Sequence, residues 1–142
     1  MTTTSRSAGK KAVLIVEDSM DFSNLLKFIV EDDGFEGVQF PVHSDDITGW
    51  AKEHNAVVIL MDLALGRKGG MDFIERLKDD PETVNIPIII ISGRDLPFKE
   101  IMALQARGVR YLRKGRVEMD EIRETIKEVV AATPAGTKVK KK

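Results

Sequence analysis

Five short apolar runs cross this chain, separated by polar or amphipathic stretches. Residues 12–16 read Ala-Val-Leu-Ile-Val, an unbroken run of the kind a strand shows when both its faces are buried. Ser19 can cap a helix over 20–32. There Phe22, Leu25, Leu26, Ile29 and Val30 recur at helical spacing, and Gly34 stops the pattern. A weaker strand follows at 35–42, and Pro41 places it near a sheet edge, because proline cannot donate to a ladder. Residues 45–54 read as a helix carrying Ile47, Trp50 and Ala51, and 56–61 as a central strand. Residues 71–79 read as a helix with Phe73, Ile74 and Leu77 as its apolar stripe. Asp80-Pro81-Glu82 and Asn85-Ile86-Pro87 punctuate the approach to a fourth strand at 88–91. Pro97 can begin a helix that carries Ile101, Met102 and Leu104 and ends near Gly108. The fifth strand is 109–112. A closing helix at 119–131 presents Ile122, Ile126, Val129 and Val130.

Strict alternation of apolar strands and amphipathic helices argues for an α/β fold with a doubly wound parallel sheet. Crossovers are then right-handed, with helices on both faces. For five strands one common order is 2-1-3-4-5, and ligands sit where that order reverses, between the first and third strands. Those two runs stop at Glu17-Asp18 and at Asp62. The topology rule and the carboxylates therefore select the same crevice independently.

Composition narrows the classes without choosing among them. At 142 residues one domain is the default. With 42% hydrophobic and 32% charged residues, the chain has enough apolar material for a core and needs no cross-link. A net charge of −1 supplies no global field toward nucleic acid or an anionic membrane. The absence of cysteine excludes disulfides, thiolate chemistry and cysteine zinc sites, and fits the cytoplasm. No apolar stretch approaches membrane-spanning length. Residues 1–10 read as a disordered arm without an apolar core, so they are not a secretory signal. Residues 133–142 read as a basic flexible tail.

Three carboxylates at one sheet edge repel one another unless a cation neutralises them. Hard cations such as Mg²⁺ take oxygen ligands, often one or two carboxylates plus phosphate. Asp18 and Asp62 supply that pair, and Glu17 could reach the ion directly or through water. A carboxylate can also be a nucleophile and form an aspartyl phosphate. Phosphoryl transfer needs mainly positioning and charge stabilisation on the equatorial oxygens. Lys114, just past the fifth run, and Ser92, ending the fourth, could provide it. Gly93 would let its backbone approach the phosphoryl closely.

On these residues the chain resembles the receiver domain of bacterial two-component response regulators, of the single-domain type. The likeness spans 11–131. The family's acidic pair falls on Glu17 and Asp18 in Val-Glu-Asp-Ser, and its phosphoacceptor on Asp62 in Leu-Met-Asp-Leu. Its switch hydroxyl falls on Ser92, its switch aromatic on Tyr111 and its lysine on Lys114. Asp62 lies 44 residues beyond Asp18, 30 before Ser92 and 52 before Lys114, and Tyr111 lies 3 before Lys114. Each spacing fits the family. Three features depart from it. Gly66 stands where a proline is usual, in a glycine-rich loop with Gly69 and Gly70. Gly115 replaces the proline after the lysine, so a trans bond is expected. The stretch from Gly108 to Tyr111 is one residue short.

The resemblance implies a flavodoxin-like receiver fold over 11–132 and a Mg²⁺-dependent switch rather than an enzyme acting on an external substrate. A histidine kinase or phosphotransfer protein would phosphorylate Asp62, as in a phosphorelay. Ser92 and Tyr111 would then move, altering the face made by the fourth helix, fifth strand and fifth helix. Lys99, Met102, Arg110, Arg113 and Arg116 are candidate residues of that face. The Ala64 carbonyl would face the metal, and the side chains of Ala64 and Arg94 would tune phosphoryl lifetime. An unknown downstream protein would read the switch, and a homodimer is compatible with it; direct DNA binding and membrane association are not expected. The alternative is a receiver-like interaction module that signals without phosphate. A haloacid-dehalogenase-like phosphohydrolase would need an acid two residues past the nucleophile, where this chain has Ala64. Trp50 reads as a packing residue, and His43 and His54 as surface residues.

Overall fold

The fold rests on a computed structural model that describes residues 10–63, 69–115 and 118–132. Five strands, β1 (Ala12–Val16), β2 (Glu36–Gln39), β3 (Ala56–Met61), β4 (Ile88–Ser92) and β5 (Val109–Arg113), alternate with five helices. The helices are α1 (Met20–Asp32), α2 (Ile47–Glu53), α3 (Gly69–Asp79), α4 (Phe98–Ala106) and α5 (Met119–Ala132). The strands form one parallel sheet in the order β2-β1-β3-β4-β5. This is the doubly wound arrangement that the alternation predicts.

Within the unbroken apolar strands, side chains still divide by a period of two. In β1, Ala12, Leu14 and Val16 join a core with Ile47, Ala51, Phe73, Ile74, Leu77 and Leu104. Val13 and Ile15 face the opposite core, against Leu26, Ile29 and Val30 of α1 and Ile122, Ile126 and Val129 of α5. α1 and α5 thus cover one face, and α2, α3 and α4 the other. Each fully buried Leu, Ile or Val contributes about 1.5–3 kcal/mol relative to exposure, so the central strands are fixed from both sides. Phe40 meets the Phe73 and Trp50 rings edge to face, at centroid distances of 5.5 and 5.8 Å. Trp50 is a packing residue as read from the sequence. His54 differs from the surface role expected of it, being half-buried and stacked on Trp50 at 5.2 Å.

Four of the boundary shifts have a local reason. β2 spans only Glu36–Gln39, an edge strand that ends before Pro41. α2 begins at Ile47 because Asp46 caps it, its carboxylate accepting from the Gly49 N–H at 3.1 Å. Pro97 stands one place outside α4 with extended backbone, at φ −57° and ψ 145°. Gly69 and Gly70, read as part of a loop, are the first residues of α3. A Cβ on Gly70 would stand 2.7 Å from the Asp62 carbonyl oxygen and 3.0 Å from Leu63 Cα. Glycine there lets the helix start directly against the end of β3. Leu25 is exposed although it fits the apolar spacing, because α1 meets the sheet through Leu26, Ile29 and Val30. The expectations for Ala64, Gly66, Arg116, residues 1–9 and 133–142 fall outside the described residues.

Candidate functional site

The site grows out of the sheet register. Val16 pairs with Met61, so Glu17 and Asp62 leave adjacent strands side by side, and the Asp62 N–H donates to the Val16 carbonyl at 3.0 Å. Glu17 and Asp62 are buried, whereas Asp18 is exposed. One oxygen from each of the three carboxylates lies within 4.8 Å of the others. Ser19 turns the chain into α1. Its backbone N–H donates to Glu17 Oε2 at 3.0 Å, and its hydroxyl accepts from the Phe22 N–H at 3.3 Å as the helix cap.

Lys114 arrives from the far side of the sheet. β5 follows β4 in register, with Ser92 opposite Arg113, and the Lys114 N–H donates to the Ser92 carbonyl at 2.7 Å. Its ammonium donates to Glu17 Oε1 at 3.1 Å and to Asp62 Oδ2 at 3.4 Å. Two buried carboxylates and a partly buried cation therefore share one pocket. Burial pushes the Glu17 carboxyl above its ordinary value, and the neighbouring Asp62 charge adds to this. The Ser19 N–H and Lys114 oppose the rise. No described peptide bond is cis, and the Lys114–Gly115 bond is trans as expected. Gly115 takes φ +91°, a conformation glycine adopts without strain.

Ser92 closes β4 and is fully buried, its Oγ accepting from the Arg94 N–H at 3.2 Å. The Arg94 carbonyl accepts from the hydroxyl of half-buried Tyr111, whose ring packs against the core containing Leu104 and Ile90. One peptide segment at Arg94 thus touches both Ser92 and Tyr111. Arg113 is ion-paired with Asp95 in the same loop, and Arg110 with Glu128 of α5 at 3.1 Å. Lys99 and Met102 are exposed on α4. Sequence reasoning missed Phe22 as a site residue. Its ring lies under the Lys114 ammonium at 4.6 Å, and the signal was its position one helical turn past Asp18.

Three clustered carboxylates are hard oxygen donors with excess negative charge, a set that fits Mg²⁺. The family model for the response regulator receiver domain matches residues 13–127. The chain belongs to the response regulator receiver domain family. The polar-differentiation response regulators DivK of Brucella ovis and Brucella anthropi are each 30% identical over 117 residues, covering 82% of this chain and 94% of theirs. Among solved structures, the signal receiver domain of a Vibrio parahaemolyticus protein superimposes with a TM-score of 0.78 at 18% identity, covering 94% of this chain and 99% of that one. The Vibrio cholerae chemotaxis protein CheY4 does so with a TM-score of 0.70 at 18% identity, covering 85% and 99%. At that identity the structural likeness bears on the fold alone. Receiver domains are signalling modules, and members of the family bind Mg²⁺ in an acidic pocket.

Proposed function

We propose that this protein is a Mg²⁺-dependent phosphorylation switch, with its receiver domain over 11–132 and Asp62 as phosphoacceptor. The observation that carries the reading is the cluster itself: Glu17, Asp18 and Asp62 within 4.8 Å, with Lys114 bonded to two of them. Asp62 and Asp18, with Glu17 directly or through water, would hold the ion, which when bound supplies positive charge to the phosphoryl oxygens. The Ala64 carbonyl is proposed as a further ligand.

The donor is a phosphohistidine on a histidine kinase or phosphotransfer protein. An Asp62 carboxylate oxygen attacks phosphorus, the P–N bond breaks, and its electron pair returns to the imidazole. Lys114 shifts its hydrogen bond from Asp62 to a phosphoryl oxygen, offsetting the added charge. Ser92 rotates its side chain toward another oxygen, and that rotation carries Oγ away from the Arg94 N–H it now accepts from. The same Arg94 segment holds the Tyr111 hydroxyl through its carbonyl, so displacement of Ser92 reaches Tyr111 through one stretch of backbone. Tyr111 turns further inward, and the face of α4, β5 and α5 changes for a downstream protein or a second copy of the chain. The Ala64 and Arg94 side chains set how long the phosphoryl state lasts. The phosphoryl state must favour one arrangement of this face by differential contacts, since equal affinity shifts nothing. No described helix is long and apolar enough to cross a membrane. We place the switch in the cytoplasm, where such kinases present their phosphohistidine.

The test is intact-protein mass spectrometry after incubation with acetyl phosphate and Mg²⁺. A single phosphate adduct is expected with wild type and none with Asp62→Ala. An adduct that persists in Asp62→Ala, or none in wild type, overturns the assignment and favours a module that signals without phosphate.

A further inference from the structure

We propose that Phe22 is a positioning residue for Lys114, its ring face holding the ammonium over the carboxylate cluster by cation–π attraction. The inference rests on the reading of Lys114 as the phosphoryl-binding cation. Lys114 Nζ lies 4.6 Å from the Phe22 ring centroid, inside the roughly 6 Å range of such contacts. The same nitrogen reaches Glu17 and Asp62 at 3.1 and 3.4 Å. The ring is itself well anchored. Phe22 lies in the first turn of α1, its N–H bonded to the Ser19 cap, and its side chain packs against the core that contains Val13, Ile15 and Leu26.

The backbone end of Lys114 is held less firmly. The strand ends at Arg113, and after one hydrogen bond to Ser92 the chain passes into Gly115 at φ +91°, where an added Cβ would meet nothing within 4 Å. A lysine side chain has four flexible carbons, so its tip goes where the tip is attracted. A ring and a carboxylate attract it differently. A carboxylate takes an N–H in a directional bond, whereas the ring draws the cation without fixing any one N–H. The ammonium can therefore stay over Phe22 while its hydrogen bond passes from an Asp62 oxygen to a phosphoryl oxygen. Without the ring, the tip of this flexible side chain would spend less of its time where the phosphoryl oxygen arrives.

The test replaces Phe22 with 4-fluoro-, 3,5-difluoro- and 3,4,5-trifluorophenylalanine, which keep the ring shape and withdraw charge from its face. With acetyl phosphate at saturating Mg²⁺, the phosphorylation rate should fall stepwise, by about fivefold across the series, while Phe22→Tyr keeps the wild-type rate. A second readout uses metal-free, unphosphorylated protein. The NMR resonances of the Lys114 ε-methylene should lie upfield of ordinary values in wild type, because of the ring, and return toward them in Phe22→Leu. A flat fluorine series in a protein that does accept phosphate, or an unmoved ε-methylene in Phe22→Leu, overturns the role of Phe22. A wild type that accepts no phosphate overturns the functional reading instead. The metal-free resonance separates the two, because it does not depend on phosphorylation.

Discussion

Three carboxylate oxygens within 4.8 Å of one another impose a cost on the metal-free protein, and Lys114 offsets only part of it. Removing one charge should relieve the repulsion and weaken the metal site together. Asp18→Asn is the informative change, since Asp18 is exposed and its loss leaves the Glu17–Lys114–Asp62 contacts in place. Its melting temperature in EDTA should rise above wild type, while Mg²⁺ affinity by calorimetric titration should fall at least about tenfold. Glu17 adds a pH dependence. Its pKa is raised above 4.5 in the fold by burial first and Asp62 second, so between those two values the native state holds a proton the unfolded chain has released. Glu17 therefore contributes stability below 4.5 that is lost as pH rises through its folded value. Mg²⁺ acts in the opposite sense, because ligands must be deprotonated to bind it. The gain in melting temperature on adding Mg²⁺ should be larger at pH 7.5 than at pH 4.5, by differential scanning calorimetry. Equal gains would mean that Glu17 does not take part.

At the scale of elements, the site depends on how closely α3 starts against β3. The Gly70 N–H donates to the Leu63 carbonyl at 2.8 Å, and a Cβ there would press on the Asp62 carbonyl at 2.7 Å. Gly70→Ala should destabilise by about 1–3 kcal/mol in urea denaturation, and it should slow phosphorylation because the displaced atoms belong to Asp62. Phe73, in the same helix, is buried against the Phe40 ring and has no polar group to offer the carboxylate cluster. Phe73→Ala should cost about 3–5 kcal/mol, with little change in the phosphorylation rate of the folded fraction. Opposite results would place the sensitivity of the site in general packing. Element boundaries also show the limit of pattern reading. Gly69 and Gly70 read as a loop because glycine weakens helices, yet close approach to β3 overrides that preference. Leu25 read as core because spacing cannot tell which arc of an apolar stripe meets the sheet.

Across the whole molecule, the loop after β4 is the route by which the proposed switch would reach the α4–β5–α5 face. Ser92 and Tyr111 are bonded to the same residue, Arg94, and Arg113 is paired with Asp95 two residues after Gly93. In wild type, beryllofluoride with Mg²⁺ should shift amide resonances along β5 and α4 as well as around Asp62. In Ser92→Ala the shifts around Asp62 should persist, and those along β5 and α4 should shrink. Full remote shifts in Ser92→Ala would show that the signal takes another route.

The sequence by itself determined the α/β alternation, the parallel sheet and the placing of Glu17, Asp18, Asp62, Ser92 and Lys114 at one sheet edge. It could do so because strand ends are marked by an abrupt change from apolar to polar residues, and strand order obeys handedness and packing rules. Tertiary structure alone decided which atoms meet. Lys114 bonds Glu17 as well as Asp62, Phe22 lies under its ammonium, and Arg94 joins Ser92 to Tyr111. These contacts join residues up to 97 positions apart along the chain, and their geometry depends on register and helix angle. Neither quantity is carried by any local pattern of hydrophobic and polar positions.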